Sequence, residues 1–310
     1  MVKNNMNTLI TGGSGLLGKH LDIDNSFKPS SKELNILNYS DLKEYIKKNN
    51  IKKLVHCAAL VGGVHANQSR IYEFFNLNLQ MNLNVIEACR EFNLKNSVFI
   101  LSTCILPANG PFPLTEKVLH DGEPHFTNYG YAYAKRMIEV GSRCLRDQYG
   151  INTTCIVPCN FYGPHDNHNL EYGHVIPSLI HKCFIAKKEN KDFIVWGSGA
   201  PEREFIHVND LAFIVKEILE NKKNTNYPNS MIISPGKSYS IKEIAEMIVS
   251  KMNFKGQIVF DTSKPDGILK KPTSNTLFKS YFENYNFIDL NDGLDSSIEY
   301  FVNNYPNVRK

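Results

Sequence analysis

The 310-residue sequence predicts an α/β fold, a doubly wound parallel sheet with a smaller C-terminal lobe. Three observations predict it. Short β-like runs alternate with helical patterns through the first half of the chain, as parallel strands joined by helical crossovers require. A glycine-rich turn, "TGGSGLLG", sits between the first strand-like run and the first helical one. Beyond Gly163 the regular alternation gives way to a different texture, the sign of a second lobe.

The elements follow in order. "NTLITGG" reads as the first strand, "DLKEYIKKNN" as a polar-faced helix and "KKLVHCAA" as the next strand. A long helix runs through "IYEFFNLNLQMNLNVIEACREFN", and "SVFILSTC" is a buried strand. Between Leu106 and Tyr129 lies a loop rich in Pro, Gly and Asn. "YAYAKRMIEVGSRCLRDQYG" is a helix stopped by Gly150, and "NTTCIVPCNFYG" is one strand running into a Gly-Pro turn. After Gly163 come a helix ("HVIPSLIHKCFIAKKEN"), a strand with a turn ("KDFIVWGSG") and another helix ("LAFIVKEILEN"). "SIKEIAEMIVSKM" and "DGLDSSIEYFVNN" supply two more helices. The layout expected is a Rossmann-type nucleotide-binding domain over 1–162, to which the chain returns at 206–234. Residues 163–205 and 235–310 then form the second lobe.

Composition narrows the function. The chain is 42% hydrophobic, with a net charge of only +4 and its lysines scattered in ones and twos. No basic stripe with interleaved aromatics marks a nucleic-acid partner. No apolar run reaches the ~18 residues of a membrane span, and the N-terminus lacks signal-peptide architecture. Seven cysteines without a CxxC pair read as reduced thiols of a cytoplasmic protein. "HDNHNLEYGH", His165 to His174, has no firm zinc spacing, so no metal is expected.

Two patterns carry chemistry. Gly12, Gly15 and Gly18 are spaced three apart after a strand, where small residues let backbone approach a pyrophosphate and a helix start offers N–H groups. Turns need glycine anyway, so the strand–turn–helix context makes the argument. Tyr131 and Lys135 stand at i and i+4, on one helix face. A nearby ammonium lowers a phenol's pKa, and such a phenol can protonate a carbonyl oxygen while hydride reaches the carbon. Ser102, at the end of a strand upstream, can be a second donor to that oxygen. An isolated YxxxK is a common accident; the serine and the glycine turn give this one its meaning.

With its GxxGxxG spacing the chain resembles the extended short-chain dehydrogenase/reductases, and among them the GDP-L-fucose synthase family. The resemblance rests on "AALVGGVHAN" (58–67), "STCILP" (102–107), "YAYAK" (131–135), "NFYGPHDN" (160–167), "HVIPSLI" (174–180), "VWGSGAPEREFIHVNDLA" (195–212) and "SKPDG" (263–267). It implies a homodimeric, NADPH-dependent enzyme that epimerises GDP-4-keto-6-deoxymannose at C3 and C5 and reduces C4. Ser102, Tyr131 and Lys135 would serve the reduction, and Cys104 and His174 would be the acid–base pair of the epimerisation. An enolate formed beside the ketone puts its charge on the oxygen that Ser102 and Tyr131 face, so one oxyanion site serves both reactions. Gly12, Gly15, Leu16, Leu17, Gly18, Ser31, Ala58 and Ala59, with Lys135 and His174, would hold the cofactor. Asn160, Trp196, Arg203 and Lys264 would bind the GDP-sugar. The product would feed surface polysaccharide synthesis.

Departures from the family pattern keep alternatives open. The segment between Gly18 and Ser31 is shorter than the family usually allows, which abbreviates the first helix and second strand. Lys28, Ser30, Ser31 and Lys32 suit a 2′-phosphate better than a carboxylate would, favouring NADPH without excluding NADH. Thr103 stands where a second serine is common, and Tyr129 and Gly130 replace an acidic residue and a proline. With His125 and Phe126 they border the sugar, so a GDP-4-keto-heptose is a conceivable substrate. The rival readings are a C4 reductase acting on an already epimerised hexose or heptose, a 4-epimerase that recycles its own tightly held NAD, and a non-catalytic NADP-binding protein.

Overall fold

The computed structural model describes residues 6–264 and 266–310; residues 1–5 and the proline of the Ser-Lys-Pro-Asp-Gly turn lie outside the described residues. The first half contains β1 (Thr8–Thr11), α1 (Leu16–His20), β2 (Ser26–Phe27), α2 (Tyr39–Lys48), β3 (Lys53–His56), α3 (Val64–Ser69), α4 (Ile71–Phe92), β4 (Ser97–Ile100) and α5 (Tyr129–Tyr149). Then come β5 (Thr153–Pro158), β6 (Asn160–Tyr162), α6 (Val175–Glu189), β7 (Phe193–Trp196), β8 (Glu202–His207), α7 (Val208–Glu220) and β9 (Ser230–Ile233). The chain closes with β10 (Ser238–Ser240), α8 (Ile241–Lys251), β11 (Ile258–Asp261), α9 (Thr276–Tyr281) and α10 (Leu290–Asn304).

Six strands form a parallel sheet in the order β2-β1-β3-β4-β5-β9. Its strands are continuous apolar runs because both faces are covered. Neighbouring residues therefore go to opposite sides. Leu9, Leu54, Phe99, Cys155, Val157 and Ile232 pack with Leu42, Val85 and Ile138 of α2, α4 and α5. Ile10, Val55, Val98, Ile156, Met231 and Ile233 pack with Leu16, Leu211 and Phe278 of α1, α7 and α9. At about 25 cal/mol per Å² of apolar surface, these two layers dominate the stability of the sheet.

Two small sheets, β10-β8-β6 and β11-β7, belong to a third cluster built on Ile180, Phe193, Phe205, Ile244 and Phe301. The run "NTTCIVPCNFYG" is not one strand. β5 pairs with β4 and β9, then the chain crosses at Cys159 and β6 pairs with β8 instead. Every residue from Thr153 to Cys159 is buried, so no periodicity in the sequence marks the crossing. The chain also revisits the large sheet once more than expected: Leu277, Phe278, Phe282, Tyr285 and Phe287 of segment 276–287 pack in the α7-side cluster.

The many asparagines have a structural use. Asn93, Asn190 and Asn221 end α4, α6 and α7 in the left-handed conformation, the position glycine takes after α5 at Gly150. Asparagine tolerates that conformation better than other side chains.

Candidate active site

The glycine turn is tight for reasons of its own packing. Gly12 has φ +69°, and a Cβ there would meet the Ala58 nitrogen at 2.7 Å. A Cβ on Gly18 would meet the Gly12 oxygen at 2.4 Å. Gly15 is the freest, with a single contact at 3.2 Å, and it precedes the first turn of α1. The turn and Ala58 thus leave bare backbone at the strand ends, a cradle that fits a dinucleotide. Leu16 and Leu17 bury their side chains in the core, so only their backbone faces such a ligand. Helix α1 has five residues, too short to contribute much dipole.

As the short segment requires, β2 has two residues and ends beside the glycine turn. The Lys28 stem lies where a Cβ on Gly13 would be, and its ammonium donates to the Leu21 carbonyl at 2.6 Å. Ser31 and Lys32 are exposed in the following turn. Glu33 is there too, its carboxylate accepting from the Ser30 amide at 2.8 Å.

A buried polar relay joins this turn to α5. Thr11 Oγ1 lies 2.8 Å from His56 Nδ1, His56 Nε2 lies 3.1 Å from Asn82 Oδ1, and Asn82 Nδ2 donates to the Ala134 carbonyl at 2.9 Å. Burial, with Lys135 nearby, pulls the His56 imidazole down to about 3. It therefore works as a neutral connector between strand end and helix.

Strand β4 stops at Ile100. Ser102 is extended and accepts the Cys104 amide on its hydroxyl at 3.3 Å, starting a 3-10 turn over Thr103–Ile105. Cys104 is therefore on a turn and not on the strand that "SVFILSTC" suggests. Three cations hold this segment by its carbonyls: Lys135 donates to Ile100 at 2.9 Å, Arg136 to Ile105 at 2.5 Å and Lys271 to Leu106 at 3.0 Å. Arg203 and Lys271 are within electrostatic reach of the Cys104 thiol, and so is the Tyr131 phenol. Ser102, Cys104, Tyr131 and Lys135 thus meet where β4 runs out.

The electrostatics differ from the expectation. Tyr131 is pushed upward, by burial first and by Cys104 second, and its pKa is not lowered by Lys135. The ammonium of Lys135 is turned to the Ile100 carbonyl, and burial holds it down to about 8. The phenol is accordingly kept protonated, the state a proton donor needs.

His174 lies apart from that group, just before α6, and its contact is with Asp166: Nδ1 is 3.0 Å from Oδ1. The loop before it is pinned to residues 62–63, where the Gly63 amide donates to the Tyr172 carbonyl at 3.3 Å. Asp166 raises the His174 pKa against the effects of burial and of Arg309.

The remaining candidates gather on the small sheets. Trp196 ends β7 with 43% exposure, so it is no core aromatic. Lys264 stands 5.6 Å above its ring centroid, and Lys182 of α6 stands 3.7 Å above it. The Asp266 carboxylate accepts from the Ser198 amide at 2.9 Å and from its hydroxyl at 2.6 Å, tying the turn after Trp196 to the turn after Lys264. Arg203 lies against Gly267 and donates to the Glu202 and Ile268 carbonyls. Asn160 is exposed, its amide donating to the Glu204 carbonyl at 3.1 Å. Sequence reasoning missed Lys182, Asp266, Lys271, Arg136 and Asp166. A lysine on an amphipathic helix reads as solvated, and nothing in its spacing marks Lys182 as the cation over Trp196. Among the described residues no group of His, Cys, Asp and Glu could hold a metal ion.

Residues 23–234 match the NAD dependent epimerase/dehydratase family. The GDP-L-fucose synthase of Dictyostelium discoideum is 39% identical, with 97% of each chain covered. The chain belongs to the GDP-L-fucose synthase family. A GDP-L-fucose synthetase from Naegleria fowleri bound to NADP superposes with a TM-score of 0.90 at 32% identity, covering 100% of this chain and 96% of that one. A GDP-6-OMe-4-keto-L-xylo-heptose reductase from C. jejuni gives 0.87 at 26% identity, covering 96% and 98%. Membership of the GDP-L-fucose synthase family makes the chain a nucleotide-sugar enzyme with the Rossmann-type sheet described above.

Proposed function

We propose that this chain is an NADPH-dependent epimerase/reductase of a GDP-4-keto-6-deoxymannose-like sugar, exchanging the configuration at C3 and C5 and reducing C4. The observation that carries the reading is the meeting of Ser102 and Cys104, on one cation-held turn, with Tyr131 and Lys135 of α5. Bound NADPH supplies the hydride to C4. Tyr131, kept protonated by burial, gives its proton to the C4 oxygen, and the Ser102 hydroxyl donates to the same oxygen. In the earlier step Cys104 takes the proton from C3 or C5 and His174 returns one on the opposite face. The exposed Trp196, with Lys182 and Lys264 above it, suits a purine and its phosphates; Arg203 and Asn160 complete the GDP-sugar end. The bare backbone at Gly12, Gly15, Gly18, Ala58 and Ala59 suits the cofactor, and Ser31 with Lys28 and Lys32 suits its 2′-phosphate.

The cofactor-binding part comprises residues 1–162 and 206–234, to which the packing of 276–287 leads us to add that segment. The protein works in the cytoplasm as a homodimer. Supporting the dimer, Phe75, Leu79, Leu83, Ile86, Tyr133, Met137 and Val140 line an apolar cleft between α4 and α5, with Leu83 54% exposed. Burying one such side chain stabilises a contact by about 1.5–3 kcal/mol. Leu83→Lys with Met137→Lys is expected to shift the sedimenting species from dimer to monomer; an unaltered species would refute this interface.

The deciding experiment for the reaction uses GDP-4-keto-6-deoxymannose in deuterium oxide without NADPH, with C3 and C5 followed by NMR, then NADPH added and absorbance at the nicotinamide band recorded. Deuterium at both carbons, abolished in Cys104→Ala, supports the bifunctional enzyme. NADPH oxidation with a pre-epimerised substrate and no exchange leaves a C4 reductase, closer to the GDP-6-OMe-4-keto-L-xylo-heptose reductase of C. jejuni.

A further inference from the structure

The carboxylate that holds His174 has an unusual setting. Asp166 is 1% exposed. Its Oδ1 accepts from the Asn167 amide at 2.7 Å and faces His174 Nδ1 at 3.0 Å, while Oδ2 is buried with no hydrogen-bond partner among the described residues. A carboxylate oxygen stripped of water and left unpaired is costly, and among the described residues the His174 imidazole is the side chain that hydrogen-bonds this carboxylate. His174 Nε2, in turn, makes no hydrogen bond among the described residues, so it is the nitrogen left free for another molecule.

We propose that Asp166 is a positioning residue for His174, fixing the ring with Nδ1–H on the carboxylate and Nε2 free for the sugar, and sustaining the imidazolium as the acid of the epimerisation. The proposal rests on the reading of His174 as proton carrier. Cys104 thiolate takes the proton from C3 or C5, so that a C–H bond breaks, an S–H bond forms and the electron pair moves to the C4 oxygen. The Nε2–H bond of His174 then breaks as a C–H bond forms on the opposite face, leaving a neutral ring whose Nδ1–H stays on Asp166. Solvent restores both groups. The charges that reach the ring are Asp166 from its own loop and Arg309 from beyond α10; the first favours the imidazolium and the second opposes it.

The test follows the ring itself as well as turnover. In ¹⁵N-labelled protein, with His174 assigned through His174→Gln, the neutral wild-type ring is expected to carry its proton on Nδ1. Asp166→Asn keeps the shape and removes the charge. It is expected to move the His174 titration down by about one pH unit. Deuterium exchange at C3 and C5 is expected to fall about ten-fold relative to C4 reduction, part of what a general acid supplies, with its acid limb moving the same way. A wild-type Nε2–H tautomer, which needs no variant to observe, overturns the proposal, as does an unmoved titration in Asp166→Asn. If His174→Gln exchanges deuterium as the wild type does while Asp166→Asn still shifts the titration, the reading of His174 fails, and the proposed acid role goes with it.

Discussion

The two halves of the candidate site are built by different means. At the chemical end, Ser102 to Cys104 lie on a turn whose carbonyls are held by Lys135, Arg136 and Lys271, with the His56 relay behind them. At the proposed nucleotide end, Trp196 and Lys264 are held by side-chain contacts at the edge of the small β11-β7 sheet. The difference teaches where precision is needed. Proton transfer fails when atoms drift by a fraction of an ångström, so backbone and buried charge fix them. Recognition of a base and two phosphates tolerates side chains that adapt.

The comparison breaks most visibly at Tyr131. Tyr131→Phe keeps the half-buried ring and removes the proton donor. NADPH oxidation by the keto sugar is expected to fall about 10²–10⁴-fold with KM for the GDP-sugar little altered. A loss expressed in KM would move Tyr131 from the chemical end to the recognition end.

The next effect is on pH. Burial pulls His56 down to about 3, and His168 and His207 down to about 4. The folded pKa values lie below the unfolded value of about 6.5, so the unfolded chain takes up protons first as pH falls. The contribution of these three is full above pH 6.5 and is lost as pH drops toward 4. One unit corresponds to about 1.4 kcal/mol per group, so three buried histidines predict a loss of roughly several kcal/mol. His174, raised by Asp166, has the opposite sign: its contribution is present below 6.5 and is lost as pH rises through its folded pKa. Glu116, Glu204 and Asp210, raised by burial, share the sign of His174: their contribution appears as pH falls through their folded pKa. The urea midpoint is expected to fall from pH 7 to pH 5.5 and to fall less in His56→Gln; an unchanged fall in that variant would refute the neutral-connector role of His56.

A smaller effect tests the carbonyl clamps directly. Arg136 is 4% exposed, and Arg136→Leu leaves the Ile105 carbonyl without its donor. An orphaned buried acceptor costs about 1–3 kcal/mol, to be read as a lower urea midpoint. Lys182→Ala, at the other end, loses one cation–π contact and is expected to lower stability by about 0.5–1 kcal/mol. Equal losses would mean that the two ends are not built differently after all.

Much of this was legible in advance, for identifiable reasons. The large sheet announced itself because its strands are apolar on both faces and its helices carry a 3.6-residue period. The helix that carries Tyr131 and Lys135 and the strand–turn–helix around Gly12 were legible from spacing and order. What escaped was whatever depends on a long-range contact. The crossing at Cys159 has no local mark, and Asp166 became visible only when the loop folded back onto His174. The Tyr131 pKa was misjudged because spacing says that Lys135 shares its face, and cannot say that the ammonium is spent on the Ile100 carbonyl.

The smallest effect is at Trp196, and it is the most informative about the nucleotide end. Its ring is 43% exposed, and the Lys182 ammonium 3.7 Å from the centroid is held down to about 8 by partial burial. The pair thus covers one face of the indole with a cation that phosphate oxygens would also attract. Cation–π contacts contribute about 0.5–2 kcal/mol, more as water is removed. Trp196→Ala is accordingly expected to raise KM for the GDP-sugar by about two- to thirty-fold, that range restated as affinity, with kcat within about two-fold because no reacting atom is touched. Trp196→Phe keeps a ring under Lys182 and loses less. If Trp196→Ala instead lowers kcat and spares KM, the indole sits against the reacting sugar, and the boundary drawn between the two ends lies in the wrong place.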